Sequence, residues 1–256
     1  MQMTQLVRKL SQNDVKLIGR DSFLMTMMIY VFVLATILRF LLPWGNDYLA
    51  DNGILPNESF DVALAEMYPA VIAFFALFLG ALLLGIVFGF MLLDEKDDNT
   101  LTAMMVTPVS LDQYMLYRIG IPTVLGFFGV LATLLIIGQI SLPLWQLTLI
   151  ALGASFIAPA GTLFFATFAE NKVQGFALTK FVGMAGIPIF VAWFLDTPLQ
   201  YIFGVFPPFW TVKAYWMAIE GDSLWMAVLL VGIVLQIGMV WLLRQRFIQV
   251  MRKRSA

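Results

Sequence analysis

The 256-residue chain contains no cysteine and no histidine. Without cysteine it can form no disulfide, no thiolate metal site and no cysteine nucleophile. Without histidine it has no imidazole base, no zinc-protease motif and no histidine proton relay. The formal net charge of −1 gives no reason to expect nucleic acid as a partner.

Charged residues are also scarce, at 12% of the chain, whereas hydrophobic residues make up 61%. An ordinary soluble domain has about 25% charged and about 45–50% apolar residues. So few charges cannot cover the surface of a water-soluble protein of this size. The composition therefore predicts a membrane protein, and since one crossing needs about 20 apolar residues, the chain has room for about six.

Six apolar stretches follow a polar N-terminal segment. All of them except the fifth are long enough to span a membrane as helices. The fifth is short and contains Pro188, so we expect it either to extend into Gly175–Lys180 or to be kinked. The sequence predicts an all-α polytopic fold whose spans are Ser22–Leu42, Tyr68–Leu93, Ile119–Ile140, Trp145–Ala169, Phe181–Leu195 and Ser223–Leu243.

The basic residues predict the orientation of these spans, because Lys and Arg concentrate in cytoplasmic loops. An even number of crossings puts both termini on one side. If that side is the cytoplasm, Lys213 is the only basic residue outside and Arg39 lies within the first span. The inner segments then hold 13 of the 15 basic residues: Arg8, Lys9, Lys16, Arg20, Lys96, Arg118, Lys172, Lys180, Arg244, Arg246, Arg252, Lys253 and Arg254.

The whole chain, residues 1–256, is predicted to be a single domain. A cytoplasmic segment (1–21) precedes the six-span bundle (22–243), and a basic cytoplasmic tail (244–256) follows it. The predicted connections are two outer segments, Pro43–Met67 and Asp196–Asp222, and two inner loops, Asp94–Arg118 and Glu170–Lys180.

The predicted membrane interior holds almost no charge. Spans two to six contain no Asp, Glu, Lys or Arg. Arg39 can snorkel to the outer interface, face a substrate or pair with another helix. Ion-coupled carriers commonly need a midplane carboxylate or broken-helix oxygens, and intramembrane hydrolases need an acid–base pair or metal ligands. The lack of these groups disfavours both classes. A path for lipophilic cargo, lined by aromatic residues and Met, is compatible with the sequence.

Small and polar residues within the spans indicate helix packing. Gln236 lies deep and is expected to bond across helices. Small residues recur every four positions in two spans and predict close helix contacts, either within the chain or in a dimer. These stripes are Ala81, Gly85 and Gly89, and Ala154, Ala158, Thr162 and Ala166.

The inner loop Asp94–Arg118 is too structured to be a simple turn. Asp97, Asp98 and Asn99 suit a helix start, and Pro108 would end that helix near Thr107. Leu101, Met104 and Met105 form one apolar stripe. A two-turn helix is unstable alone in water, so the stripe must dock on a partner protein, on the headgroup interface or beneath its own spans.

These residues resemble the first inner loop of type-2 ATP-binding-cassette export permeases. The likeness rests on Glu95–Leu101 followed by Val106-Thr107-Pro108-Val109-Ser110, with Asn99 where the family often has Gly. In that family the loop holds a coupling helix that fits a groove on an ATPase subunit. The resemblance implies that the contact is formed by Asp94, Glu95, Asn99, Thr100, Leu101, Met104, Met105, Thr107 and Pro108.

Further motifs resemble the drug-export branch of that family, which includes fluoroquinolone export permeases. They are Arg20-Asp21, Arg39 with Pro43, the second inner loop Glu170–Gly175 with Glu170, Lys172 and Gln174, and Phe206–Trp210 with Lys213. The resemblance implies that Thr4–Arg20 is an amphipathic connecting helix on the inner surface. It also implies that Asp196–Asp222 re-enters the outer leaflet, with Phe206, Pro207, Pro208 and Trp210 at an outer gate.

The chain has no G-x-x-x-x-G-K-[ST] phosphate loop and no Gly-Lys dipeptide. If it exports cargo with ATP, a partner subunit must bind ATP and Mg²⁺, and this chain needs no cofactor and is not itself an enzyme. The resemblance implies a plasma-membrane permease that pairs as a homodimer or heterodimer. An ion-coupled secondary carrier and a non-transporting scaffold or assembly factor are the alternatives.

Overall fold

The computed structural model describes residues 3–52, 64–98, 110–195 and 197–254, and in these ranges the chain is helical with no strand. Two short helical turns, Thr197–Gln200 and Tyr201–Val205, lie between the helices Lys172–Ala192 and Pro208–Ile219. The longer elements are α1 (Met3–Arg20), α2 (Ser22–Asp51), α3 (Leu64–Asp97), α4 (Leu111–Ile137), α5 (Leu144–Phe168), α6 (Lys172–Ala192), α7 (Pro208–Ile219) and α8 (Trp225–Arg254).

Six of these helices, α2 to α6 and α8, are long and apolar enough to cross a membrane. This confirms the predicted all-α fold with six spans. Large apolar side chains remain exposed on the outward faces of the bundle, including Phe40, Phe128 and Val234. In a membrane such faces contact lipid rather than water, so the chain is a multi-pass membrane protein. The side on which the termini lie stays a prediction.

The observed helix ends differ from the predicted bounds of two loops. The first outer loop does not begin at Pro43, because α2 continues through that proline to Asp51. The second inner loop does not extend to Lys180, because α6 begins at Lys172. Asn171 starts that helix: its side chain accepts a hydrogen bond from the Gln174 N–H at 3.0 Å, which satisfies a donor left free by the first turn.

Three spans contain irregular turns. In α6 the helix breaks between Met184 and Ile187, since Pro188 cannot donate to the carbonyl four residues earlier. The predicted fifth span is therefore both extended and kinked. In α5 the break falls at Phe156, three residues before Pro159. In α3 the run Ala73–Leu79 is a π-helix.

The small-residue stripes of α3 and α5 meet each other at the centre of the bundle. A Cβ added to Gly85 would lie 2.5 Å from the Ala158 carbonyl oxygen. The Thr162 hydroxyl donates to the Gly85 carbonyl at 3.2 Å. The sequence left open a packing face or a dimer seam, and the structure shows that these stripes pack within the chain.

Candidate functional site

An apolar cavity of about 220 Å³ lies inside the bundle, between α3, α5, α6 and α8 and beside the start of α7. Among the described residues that form its wall, none is charged. Typical drug-sized pockets measure about 300–1,000 Å³, so the cavity as it stands accepts an apolar fragment and must widen for a larger molecule. Its lining residues are Phe78, Leu82, Ile157, Ala160, Gly161, Phe164, Phe181, Val182, Ala185, Phe206, Pro208, Met239 and Leu243.

Two irregular helix turns meet at the cavity. Phe78 lies in the π-helical turn of α3, and Gly186 lies in the break of α6. A Cβ added to Gly186 would stand 2.5 Å from Phe78 Cε1, so the Phe78 ring packs this closely against the α6 backbone because residue 186 is glycine. Because π-turns and proline breaks are places where helices bend, this part of the wall contains a bending position in each of two helices.

The predicted outer-gate residues surround the start of α7. Pro207 and Pro208 begin that helix, where a missing N–H costs nothing. The Phe206 ring packs edge-on against Phe78, 5.8 Å between centroids, and Phe206 and Pro208 both line the cavity. Trp210 is not on the cavity wall, and its Nε1–H donates to the Gly204 carbonyl at 2.8 Å.

A buried ion network lies at the end of the bundle where α3 ends and α4 begins. Its centre is the Arg118 guanidinium of α4, which is fully buried. Arg118 Nη1 donates to Asp14 Oδ2 of α1 at 2.9 Å, and Nη2 donates to the Glu95 carboxylate of α3. The network therefore ties three helices together through one side chain.

Two tyrosines of α4 complete this network. The Tyr117 hydroxyl donates to Asp14 Oδ2 at 2.7 Å, and the Tyr114 hydroxyl donates to Glu95. Arg118 Nε donates to the Tyr114 oxygen at 3.0 Å. Burying a charge is costly unless it is paired and hydrogen-bonded. These five side chains pair with one another, although Asp14 Oδ1 has no hydrogen-bond partner among the described residues.

Lys172 forms a second link at the same end. Its ammonium lies 3.1 Å from Asp21 Oδ2 and 2.8 Å from Asp94 Oδ1, so it joins the start of α6 to the start of α2 and the end of α3. Partial burial alone would raise the pKa of the Asp21 carboxyl. The Lys172 hydrogen bond and charge, with backbone N–H donors, outweigh burial and hold that pKa below its ordinary value. Asp21 is therefore ionised at neutral pH.

Lys96 holds the end of α5. Its ammonium donates to the carbonyls of Ala166 and Ala169 at 3.0 and 2.7 Å. Carbonyls at a helix C-terminus have no partner within the helix and attract cations. The end of α3 is thus fastened to the end of α5 beside the ion network.

Of the predicted coupling residues in the first inner loop, the structure describes Asp94 and Glu95. Asp94 is paired with Lys172, so the structure brings together residues of both predicted inner loops. Glu95, predicted to take part in the contact with the ATPase, is only 7% exposed and faces Arg118 inside the chain. Outside the described residues lie Asn99, Thr100, Leu101, Met104, Met105, Thr107 and Pro108.

In the second inner segment, Glu170 and Gln174 are exposed. The Glu170 N–H donates to Gln174 Oε1 at 2.9 Å, which adds a hydrogen bond at the start of α6. Both side chains stand on the same end of the bundle as Lys172 and Asp94. Their predicted contact with a partner stays a prediction.

Two polar residues of the spans have structural contacts. Gln236 Nε2 donates to Thr211 Oγ1 at 2.7 Å and to the Gly153 carbonyl at 3.2 Å, as expected of a residue that bonds across helices. Arg39 remains exposed, and its Nη1 donates to the Ile136 carbonyl of α4 at 2.8 Å. Arg39 therefore pairs α2 with α4, whereas its reach to the outer interface stays a prediction.

Sequence reasoning missed the Arg118 network. Its one local signal is Asp14, which shares a face of α1 with Leu10, Leu17 and Ile18 at helical spacing and is 3% exposed. An acid on the apolar face of an amphipathic helix predicts a buried partner. That partner lies about a hundred positions away, beyond the reach of any local pattern.

The comparisons with known proteins agree with one another. The family described as fluoroquinolones export permease protein Rv2686c-like matches residues 14–244. Two relatives from Mycobacterium tuberculosis strains, fluoroquinolones export permease protein MT2760 (CDC 1551 / Oshkosh) and Rv2686c (ATCC 25618 / H37Rv), are each 32% identical over 240 residues. The alignments cover 92% of this chain and 91% of each relative.

No solved structure matches the chain. The family match covers the first five membrane helices, α8 as far as Arg244, the cavity-lining residues and the residues of the ion network. The chain belongs to the Rv2686c-like family of fluoroquinolone export permease proteins.

Proposed function

We propose that this chain is the membrane-spanning subunit of an ATP-driven exporter that moves a lipophilic small molecule, such as a drug, out of the cell. The observation that carries the proposal is the similarity along nearly the whole chain to proteins named as fluoroquinolone export permeases. The apolar cavity supports the proposal, because a molecule that is weakly soluble in water lowers its free energy by moving from water into a cavity with an apolar wall.

The cavity is the proposed cargo site. Its wall is contributed by five helices and by the connection before α7, so a change in their spacing changes its volume. Phe206 and Phe78 close one side of it. Separation of these two rings would open the cavity toward the predicted outer gate, and the π-turn of α3 and the break of α6 supply the bending positions.

Energy would come from a separate ATPase subunit. In this mechanism the ATPase docks on the predicted coupling helix Asn99–Thr107, with Asp94, Lys172, Glu170 and Gln174 near the contact. The described ends of α3 and α4 on either side of that segment are held together by the Glu95–Arg118 pair. Because Arg118 also holds α1, a displacement of the segment would move α1, α3 and α4 as one unit.

We further infer that both termini are cytoplasmic, that the membrane is the plasma membrane and that two permeases pair around the path. The orientation follows from the distribution of Lys and Arg. It agrees with the placement of Asp14, Lys96, Arg118 and Lys172 at one end of the bundle.

The experiment is co-expression of the chain with a candidate ATP-binding-cassette ATPase subunit from the same organism in a fluoroquinolone-susceptible bacterium. We expect lower drug accumulation and a higher inhibitory concentration only when both subunits are present. An ATPase variant without its phosphate-loop lysine is the control and should abolish the effect. Export by the permease alone, abolished by an ionophore, would instead establish the ion-coupled carrier.

A further inference from the structure

The last helix, α8, continues past the predicted end of its span at Leu243. It runs to Arg254 and has 30 residues, about 45 Å at the rise of an α-helix, whereas the hydrocarbon core of a bilayer is about 30 Å thick. Its final turns are not simply solvated, because Phe247 is fully buried and Met251 is only 3% exposed. The end of α8 is therefore packed against other parts of the chain.

The buried side chains of this end belong to one apolar cluster, the inner cluster, near the place where α3 ends and α4 begins. Arg244, the first residue beyond the predicted span, also pairs with Asp112 of α4. The end of α8 is thus attached to the first turns of α4 by apolar packing and by an ion pair. The inner cluster includes Leu92 of α3, Tyr114 and Met115 of α4, Ala160 of α5, and Phe247 and Met251 of α8.

The inner cluster shares residues with the cavity. Ala160 belongs to both, and Met239 and Leu243 line the cavity and pack against the cluster. Met239, Leu243 and Phe247 follow one another at intervals of four residues, so they lie on the same face of α8. The side chain that fixes the end of α8 is therefore aligned with the two side chains that α8 contributes to the cavity wall.

Tyr114 connects the inner cluster to the ion network. It is buried in the cluster, while its hydroxyl donates to Glu95 and accepts a hydrogen bond from Arg118 Nε at 3.0 Å. A displacement of the paired ends of α3 and α4 therefore moves this side chain. Because protein interiors are close-packed and transmit strain, the movement reaches Phe247 and, through α8, the cavity wall.

We propose that the inner cluster transmits movement between the paired ends of α3 and α4 and the cargo cavity. In this role Phe247 is the positioning residue that sets where Met239 and Leu243 stand in the cavity wall. The inference rests on the proposed function, since it names the residues that connect the ATPase-driven end of the permease to its cargo. Coupling at equilibrium is reciprocal. A drug-sized molecule must widen the cavity of about 220 Å³, so its binding also displaces the cluster.

The first test needs no ATPase and uses the lack of cysteine in the chain. Ile248→Cys places a single thiol at a partly buried position packed against the inner cluster, and Gln249→Cys places one at the next, exposed position. The measurement is the rate of reaction with a maleimide in purified, detergent-solubilised permease, with and without saturating ciprofloxacin, a fluoroquinolone. We expect the drug to change the Ile248→Cys rate by about fivefold or more and to leave the Gln249→Cys rate unchanged.

The second test measures ciprofloxacin binding and export separately, with export assayed in cells that contain the ATPase. Phe247→Ala removes a ring from the inner cluster but no atom from the cavity wall. The purified variant should still bind the drug within about threefold of wild type, whereas its export should fall about tenfold or more. Phe247→Leu, which refills most of the lost volume, should restore export. Leu242→Ala, at a site of α8 that is 61% exposed, is the matched truncation and should export like wild type.

An unchanged Ile248→Cys rate in protein saturated with ciprofloxacin would overturn the inference, even if Phe247→Ala does not fold. Wild-type export by a folded Phe247→Ala protein would also overturn it. Loss of binding together with export in Phe247→Ala would assign Phe247 to the structure of the cavity and overturn its role in transmission. If wild-type protein neither binds nor exports ciprofloxacin, the proposed function itself fails, and this inference fails with it.

Discussion

Arg118 and Asp14 form an ion pair across 104 positions of sequence, with Nη1 and Oδ2 2.9 Å apart. The pair fastens the N-terminal helix α1 to the first turns of α4. The same guanidinium also holds Glu95 at the end of α3. Asp14, Glu95 and Arg118 therefore form a common base that joins the two helix ends on either side of the segment between α3 and α4.

The first prediction concerns this base. Arg118→Met leaves the Asp14 and Glu95 carboxylates buried without their cation, which should cost about 3–5 kcal/mol. Arg244→Gln removes an ion pair with the exposed Asp112 and should cost less than about 1 kcal/mol. Tryptophan fluorescence during a denaturant titration of both purified variants measures the difference, and equal small losses would show that the network does not stabilise the bundle.

The second prediction concerns the contact between α3 and α5. Gly85→Ala places a methyl group against the Ala158 carbonyl and should destabilise the bundle by about 1–3 kcal/mol. Gly238→Ala, on α8, is the matched change at a glycine whose added Cβ meets nothing within 4 Å. The same titration should find Gly238→Ala as stable as wild type, and an equally stable Gly85→Ala would contradict the close approach.

The third prediction concerns the cavity. Ala185→Phe fills it from the α6 wall, so it should reduce fluoroquinolone export at least tenfold by excluding cargo while the protein remains folded. Ala177→Phe, at an exposed site two turns earlier on α6, should export normally. Drug accumulation in cells that contain the ATPase is the readout. Normal export by a folded Ala185→Phe protein would remove the cavity from the cargo path.

The parts of this fold that could be predicted are those set by the bilayer. Hydropathy predicts six spans because each must cover the same hydrocarbon thickness. Pro188 predicts the kink of α6 because proline has no backbone N–H to donate. Asn171 and Gln174 carried a capping signal that would have placed the start of α6 correctly.

The remaining features depend on tertiary contacts. The run Ala73–Leu79 contains neither Gly nor Pro, so nothing local distinguishes its π-helix from an α-helix. Glu95 belonged to the motif that resembles the coupling loop, yet its side chain is directed inward because Arg118 comes from another helix. The cavity likewise arises from residues of five helices, and only their packing brings Phe78 and Phe206 together.

We propose that a separate ATPase drives this permease through the apolar stripe that contains Met104. The most direct test measures ATP-dependent fluoroquinolone export by Met104→Asp, in cells that contain the ATPase, with Met104→Leu as the matched apolar control. With equal amounts of each protein in the membrane, we expect Met104→Leu to export like wild type and Met104→Asp to fall to the level of cells without the ATPase. Export by Met104→Asp at the wild-type rate would contradict the claim.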